Sequence, residues 1–386
     1  MTSPGQRRGR QRALNQLAAG RRARRQRAML IVTTAASALV LVASGGSWAL
    51  TSYITGQLGR LSAGTSGTPA SGPLNILVAG IDVRSGLTPR QQNELHVGHD
   101  VSSNSDTLML VHVPADDSYV QVISLPRDSW VNIPGHGMNK INAAFGLGGP
   151  RLMVATVAAA TGLAINDYME VNFLGFVKVI DALGGVSICL PFAVNDAYSG
   201  LHLPAGVHHV DGVTALEFAR DRHSFAASDL ARIDNQQQLM ATMLSTAAST
   251  GTLSNPFRLR QVISSVTSAI QVDRGFNMVS LAGQLRGIRP RNVAFSTVPL
   301  SDLSYRTPTG QLAVLWNAAA ARQLFGQIRA DQRPTAVAPP ARPRSRPATK
   351  TRATAPSPPP SSSAPGQGTG TAAGGQEKSG TQDACR

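Results

Sequence analysis

Three apolar runs rich in β-branched residues open the folded part of the chain. They are 74–81, 107–113 and 119–125, each bounded by Gly, Asp or Pro, and the pattern predicts three strands. A polar stretch, 85–104, separates the first two and is long enough for a functional loop. From Asn139 the apolar period shifts from two toward 3.6. MNKINAAFGLGG and RLMVATVAAATG then read as a short and a longer helix, each stopped by Gly, so that Lys140 is expected in the short helix. YMEVN reads as a strand, FLGFVKVIDALGG as a helix ended by Gly184 and Gly185, and VSICL as another strand. A helix is predicted over 211–219 behind an aspartate N-cap, and the longest helix over 229–250. Further helices are expected at 256–270 and 278–288, a strand at NVAFSTVPL, and a closing amphipathic helix over 309–329. Strands separated by helices predict an α/β fold, an α-β-α sandwich with a mixed central sheet.

Outside that region the pattern changes. Residues 28–50 form an apolar span of 23 residues without formal charge, about enough to cross the roughly 30 Å hydrocarbon layer as one transmembrane helix. Residues 1–27 carry nine arginines and no acid. By the positive-inside rule they form a cytoplasmic basic tail and leave the rest of the chain extracellular, on a single-pass cell-membrane protein. A cleaved signal peptide is the competing reading of the same segment. Gly, Ser, Thr and Pro dominate the end of 51–73, which reads as a flexible linker, so the folded domain is expected over 74–331. The Pro/Ala/Ser/Thr/Gly-rich segment 332–386 lacks the apolar surface to offset its ordering entropy and is expected to be disordered.

The net charge of +15 would suggest a nucleic-acid partner, yet it resides in the two ends. Between residues 28 and 328 acidic and basic side chains balance, which leaves no basic face and excludes nucleic acid as the expected partner. There is no G-x-S-x-G, no CxxC and no His/Cys cluster. The two cysteines, Cys189 and Cys385, lie far apart in sequence, and no bridge follows from spacing alone.

What remains concentrated is guanidinium. Residues 219–237, ARDRHSFAASDLARIDNQQ, hold three arginines, three aspartates and two glutamines. Arg220 and Arg222 are two apart and share a face if the backbone is extended; Asp229, Arg232 and Gln236 share a face on a helix. Planar guanidinium groups grip phosphate oxygens in pairs, so the cluster reads as a pyrophosphate pocket, against the blander reading of a solvated helix surface. Four shorter pieces set polar groups at strand ends, where α/β sheets collect their ligands: AGIDVR with Asp82 and Arg84, NSDT with Asp106, SLPRD with Arg127 and Asp128, and NKIN with Lys140. Asp82 and Asp106, on neighbouring strands, are reasonable oxygen ligands for Mg2+.

The succession GIDVR, SDT, SLPRD, KINAAFGLGGP, DALGGVSICLP, LPAGVHHVDGVTALEFARDRH and SDLARIDNQQ resembles the LytR-CpsA-Psr family of cell-wall assembly enzymes. The resemblance spans about 74–250 and implies transfer of a glycopolymer from a polyprenyl pyrophosphate carrier to peptidoglycan, with magnesium. It implies catalytic roles for Arg127, Arg220, Arg222, Asp229 and Arg232. The substrate would be bound by these arginines with Lys140 and Gln236, and the metal by Asp82 and Asp106. The Ala, Arg and Gly-rich composition suggests a GC-rich actinobacterial source, and there the resemblance implies arabinogalactan as one family substrate. Two departures stand out: Asn104 and Asn235 occupy positions where the family commonly carries arginine. A non-catalytic lipid-pyrophosphate receptor and a polyprenyl pyrophosphatase are the alternatives, and Asp229 and Asp82 are both candidate proton acceptors.

Overall fold

The computed structural model describes residues 58–69, 71–81, 105–221, 228–249 and 270–334, with a few single residues and the pair Lys378–Ser379. The expected membrane helix and basic tail lie outside the described residues, as does the tail beyond Pro334 apart from that pair. The chain divides into Met1–Gln57 and Leu58–Arg386. The second unit is described here.

Its centre is a mixed sheet. The strands are β1 (Gly59–Leu61), β2 (Leu74–Ile81), β3 (Ser105–Val113), β4 (Val120–Ser124), β7 (Asp167–Asn172), β12 (Ile270–Asp273) and β13 (Val293–Thr297), with the two-residue β16 (Lys378–Ser379) at one edge. Their order is β1-β12-β7-β2-β3-β4-β13-β16. Antiparallel hairpins surround it: β5 (Trp130–Ile133) with β6 (Gly137–Lys140), β8 (Val186–Leu190) with β11 (Gly206–Val210), β9 (Val194–Asp196) with β10 (Leu201–Leu203), and β14 (Leu300–Arg306) with β15 (Leu312–Trp316). The longer helices are α1 (Ala143–Thr161), α2 (Phe173–Leu183), α3 (Gly212–Arg220), α4 (Ser228–Ser249), α5 (Met278–Gln284) and α6 (Ala318–Arg329).

The central strands read as near-continuous apolar runs because both their faces are covered. Leu77, Ala79 and Ile81 of β2, with Leu108, Leu110 and Ile123, pack under Met153, Val154 and Val157 of α1 and Leu324, Phe325 and Ile328 of α6. Leu74, Ile76, Met109, Val122 and Phe295 point the other way, toward Met240 of α4 and Leu281 of α5. A second core, built on Ile180, Ile188, Phe218 and Leu239, ties α2, α3 and α4 to the β8–β11 region. The result is the α-β-α sandwich with a mixed sheet. Helix α1 is apolar and long enough to cross a membrane, but its buried face is committed to the sheet.

Several elements differ from the pattern. Lys140 lies in strand β6, not in a helix: Gly135 (φ 78°) and Gly137 (φ 75°) adopt left-handed backbone that turns Trp130–Ile133 back on Gly137–Lys140. The short helix starts only at Ala143, but it stops where expected: the backbone leaves helical geometry at Gly148 and Gly149, and the longer helical stretch of α1 runs on from Pro150. The linker expected over 51–73 joins the fold from Leu58 onward. β1 pairs in parallel with β12, Ala63 is fully buried, and the Asp273 carboxylate accepts from the Ala63 amide (3.2 Å) and the Thr65 hydroxyl. Thr68 Oγ1 donates to Asp167 Oδ2 (2.5 Å), so the Ser/Thr content serves hydrogen bonding to the sheet edge instead of slack. Ile270 begins a strand, not the end of a helix, and the segment 309–329 is strand β15 followed by α6.

Strand directions decide where ligands can enter. β2, β4, β7 and β13 all run to one edge of the sheet; β3, β12 and β1 begin there. The chain therefore enters the fold, at Gly59, on the edge that carries the carboxyl ends of the parallel strands.

Candidate functional site

Asp106 sits at that edge in a bulge. Gly80 pairs with Thr107 and Ile81 with Ser105, so Asp106 is the extra residue and its side chain is re-aimed outward from the ladder. A side chain at Gly80 would bring its Cβ to 2.9 Å from the Thr107 Cβ, which is why glycine occupies the close approach beside the bulge. On the next strand Pro126 ends β4, and the loop behind it is held rigidly. Ser129 Oγ donates to Pro126 O (2.6 Å), Trp316 Nε1 donates to Ser129 Oγ (2.8 Å), and Asn142 N donates to Arg127 O (3.1 Å). Val314 N reaches Asp128 O at 2.9 Å.

That frame aims two side chains. Arg127 Nη1 donates to Asp106 Oδ1 at 2.5 Å, while its Nε lies 3.4 Å from Asp128 Oδ2. Asp128 Oδ1 meets Lys140 Nζ at 2.9 Å, because the β5–β6 register sets Lys140 opposite Trp130, two residues past Asp128. Burial by itself would raise the Asp128 pKa. The Lys140 hydrogen bond and the charges of Arg127, Lys140 and Arg232 outweigh it and hold the carboxyl below its usual range. Arg232, only 3% exposed, thus contributes from α4 to the same field.

α4 is bolted to the sheet by a residue whose role the sequence did not reveal. Gln237, 3% exposed, donates from Nε2 to Ser124 Oγ (3.0 Å), Ser296 O (3.2 Å) and Thr297 Oγ1 (3.2 Å) at the ends of β4 and β13. Asn235 is also buried and donates to Phe218 O at 3.1 Å. It joins α4 to α3 and adds nothing to the basic cluster. Gln236 likewise reaches a backbone group, Ala219 O at 3.4 Å. Arg220 closes α3, helical rather than extended as the spacing suggested, and its guanidinium lies 5.6 Å over the Phe173 ring. Phe173 follows directly on β7, so Arg220 stands at the same sheet edge.

Of the expected site residues, then, the structure links Asp106 to Arg127 and sets Arg127 and Lys140 on Asp128, with the charge of Arg232 acting on that carboxyl from α4, and places Arg220 on the same edge. Asp82, Arg84, Asn104 and Arg222 lie outside the described residues. Asp229 contributes backbone to the first turn of α4, and its side chain lies outside them too. Asp128 was legible in SLPRD, but nothing in the sequence marked it as the hub. Among the described residues no group of three or more His, Cys, Asp and Glu is placed to hold a metal. Of the carboxylate pair expected to hold Mg2+, Asp106 is described and is ion-paired with Arg127, and Asp82 lies outside the described residues.

His208 and His209 line a separate cavity of about 550 Å3 with Asp181, Asp211 and Thr214. Its polar groups are satisfied locally. His209 Nε2 pairs with Gly184 O, His208 Nε2 with Pro204 O, and Asp181 and Asp211 accept from the amides of Gly212 and Thr214. Cys189, on β8, is disulfide-bonded; the chain's other cysteine, Cys385, lies outside the described residues.

The sequence pattern of the LytR_cpsA_psr family matches residues 55–322. The chain belongs to the LytR-CpsA-Psr family. Curated relatives include the cell wall biosynthesis protein LcpA of Corynebacterium glutamicum, 32% identical over 72% of this chain and 61% of its own length. The probable cell wall biosynthesis protein LcpB of the same organism is 36% identical over 73% of this chain and 67% of its own. The chain thus spans about two thirds or less of the length of these relatives. The polyisoprenyl-teichoic acid–peptidoglycan teichoic acid transferase TagU of Oceanobacillus iheyensis is 34% identical over 52% of this chain and 60% of its own. Among solved structures, a LytR-Csp2A-Psr enzyme from Actinomyces oris superposes with a TM-score of 0.55 at 24% identity, covering 70% of this chain and 95% of that one. TagT bound to LI-WTA gives 0.53 at 22% identity, over 70% and 98%. At such identities the likeness is one of fold.

Proposed function

We propose that this LytR-CpsA-Psr protein is a membrane-anchored phosphotransferase. It would move a glycopolymer from a polyprenyl pyrophosphate carrier to peptidoglycan outside the cell and release lipid phosphate. The observation that carries this reading is the convergence of Arg127, Lys140 and Arg232, from three separate elements, around Asp128 at the edge where the parallel strands end. Phosphoryl transfer asks a protein for positioning and charge neutralisation more than for covalent help, and fixed cations at a sheet edge supply both. The names of LcpA and LcpB, for cell wall biosynthesis, and of TagU, for teichoic acid transfer to peptidoglycan, favour the same substrate class.

In the reaction, a hydroxyl of a peptidoglycan sugar attacks the phosphorus attached to the polymer. The bond from that phosphorus to the bridging oxygen breaks, the lipid phosphate leaves with the electron pair, and the hydroxyl proton passes to a carboxylate, Asp229 or Asp82. Arg127, Arg232, Lys140 and Arg220 would hold the diphosphate oxygens, with Arg222 from the segment after α3. Mg2+, held by Asp106 and Asp82, would neutralise phosphate charge.

The test is turnover. The purified chain is incubated with a polyprenyl pyrophosphate-linked oligosaccharide, Mg2+ and peptidoglycan, and lipid phosphate and polymer-bearing peptidoglycan are measured. Both should accumulate together. Release that ignores the acceptor would make the protein a pyrophosphatase, and binding without release a receptor.

A further inference from the structure

The hub of the cluster is an anion at a site read as taking an anion. Asp128 is mostly buried, with its side chain 14% exposed, and its two oxygens face different partners, Oδ2 toward Arg127 and Oδ1 toward Lys140. Its own backbone cannot drift. Asp128 O is held by Val314 N, while Ile141 N donates to Ser129 O (2.8 Å) and Asn142 N to Arg127 O, closing the loop against the start of α1. The carboxylate is therefore a fixed post between a flexible ammonium and a guanidinium. Lysine offers three N–H donors, so contact with Asp128 does not exhaust the ammonium, and the Arg127 guanidinium keeps its charge while bound to Asp106 and Asp128. Arg127 is also held by Asp106 through Nη1, so the post acts chiefly on the relation between the two cations: without it the Lys140 ammonium would swing into water and away from the guanidinium.

We propose that Asp128 is a positioning residue: it sets the separation and direction of Arg127 and Lys140 so that both meet one diphosphate, and it acts through them without touching the ligand. This rests on the reading of the site as a diphosphate pocket. It makes a prediction opposite in sign to simple electrostatics. Removing a negative charge beside an anion site should by Coulomb attraction alone tighten anion binding; removing a positioning group should weaken it.

Binding of farnesyl diphosphate to the full chain in the presence of Mg2+, followed by calorimetry, separates the two. Asp128→Asn is expected to weaken binding at least tenfold although the site becomes more positive. In a Lys140→Met background, the same change should weaken it by a clearly smaller factor, because one of the two cations it positions is gone. Affinity in Asp128→Asn equal to or tighter than wild type overturns the proposal, as does a loss of the same factor in both backgrounds. Should Asp128→Asn not fold, Asp128→Glu carries the test. It keeps the charge and shifts it by one methylene, so a loss of at least threefold is expected, and wild-type affinity overturns the role. If the wild-type chain does not bind the probe, the diphosphate reading itself fails; binding by wild type with unchanged variants removes only Asp128.

Discussion

Replacing Gln237 by leucine tests whether the helix carrying Arg232 is fixed to the sheet by one amide. The two protons on Nε2 face three acceptors at 3.0, 3.2 and 3.2 Å, so two full hydrogen bonds are made and the third is shared. Each contributes about 1 kcal/mol net, and the buried Ser124 hydroxyl left without its donor adds about 1 more. Leucine keeps most of the volume, so packing is nearly conserved, and the expected loss is about 2–3 kcal/mol. For a domain of this size that lowers the melting temperature by roughly 5–10 °C, at about 2–4 °C per kcal/mol. Urea unfolding with an unchanged slope is the assay, since a changed slope would signal an altered denatured state instead. A double-mutant cycle with Ser124→Ala should return about 1 kcal/mol of coupling. A loss below about 0.5 kcal/mol, or strict additivity with Ser124→Ala, would refute the idea that this amide holds α4 in place.

Other expectations follow from the same coordinates. Arg220→Ala should weaken farnesyl diphosphate binding by about 2 kcal/mol, the loss typical of a charged hydrogen-bonding partner, and wild-type affinity would take Arg220 out of the site. Gly212→Ala would set a Cβ 2.4 Å from Val177 O, a backbone atom that cannot yield, so a loss of about 3 kcal/mol is expected in the same unfolding assay. His112 is fully buried, and burial lowers its pKa below 6.5 against the opposing charge of Asp331. The unfolded chain then binds the extra proton first, so this stability is complete above about pH 6.5 and is lost as pH falls from there toward the folded-state pKa. Melting temperatures recorded from pH 7.5 to 5 should decline, and His112→Gln should flatten that decline.

The resemblance to the family, the α/β class and the central strands were all readable from residue patterns, and for a physical reason. β2 is buried on both faces, so its eight positions are almost uniformly apolar, and its bounds, Leu74–Ile81, fall where the apolar run falls. Helix α2 is likewise delimited by local chemistry, an Asn172 side chain accepting from Gly175 N at its start and left-handed Gly184 at its end. Local rules failed where a residue's partner is remote in sequence. Lys140 reads as helical until the turn at Gly135–Gly137 folds it against Trp130, and the Ser/Thr-rich stretch 58–69 reads as slack until Asp273 and Asp167 arrive from far along the chain.

The site divides in the same way. Residue types and spacing alone marked the arginines as candidate phosphate ligands, because guanidinium chemistry is a property of the side chain and travels with it. Which carboxylate would stand between them was a matter of strand order: a β-bulge aims Asp106, a hairpin register brings Lys140 to Asp128, and Gln237 fixes the helix that delivers Arg232. Separations of a few ångströms between charges set their interaction, and those separations arise from pairings between strands and helices that no local stretch of sequence contains.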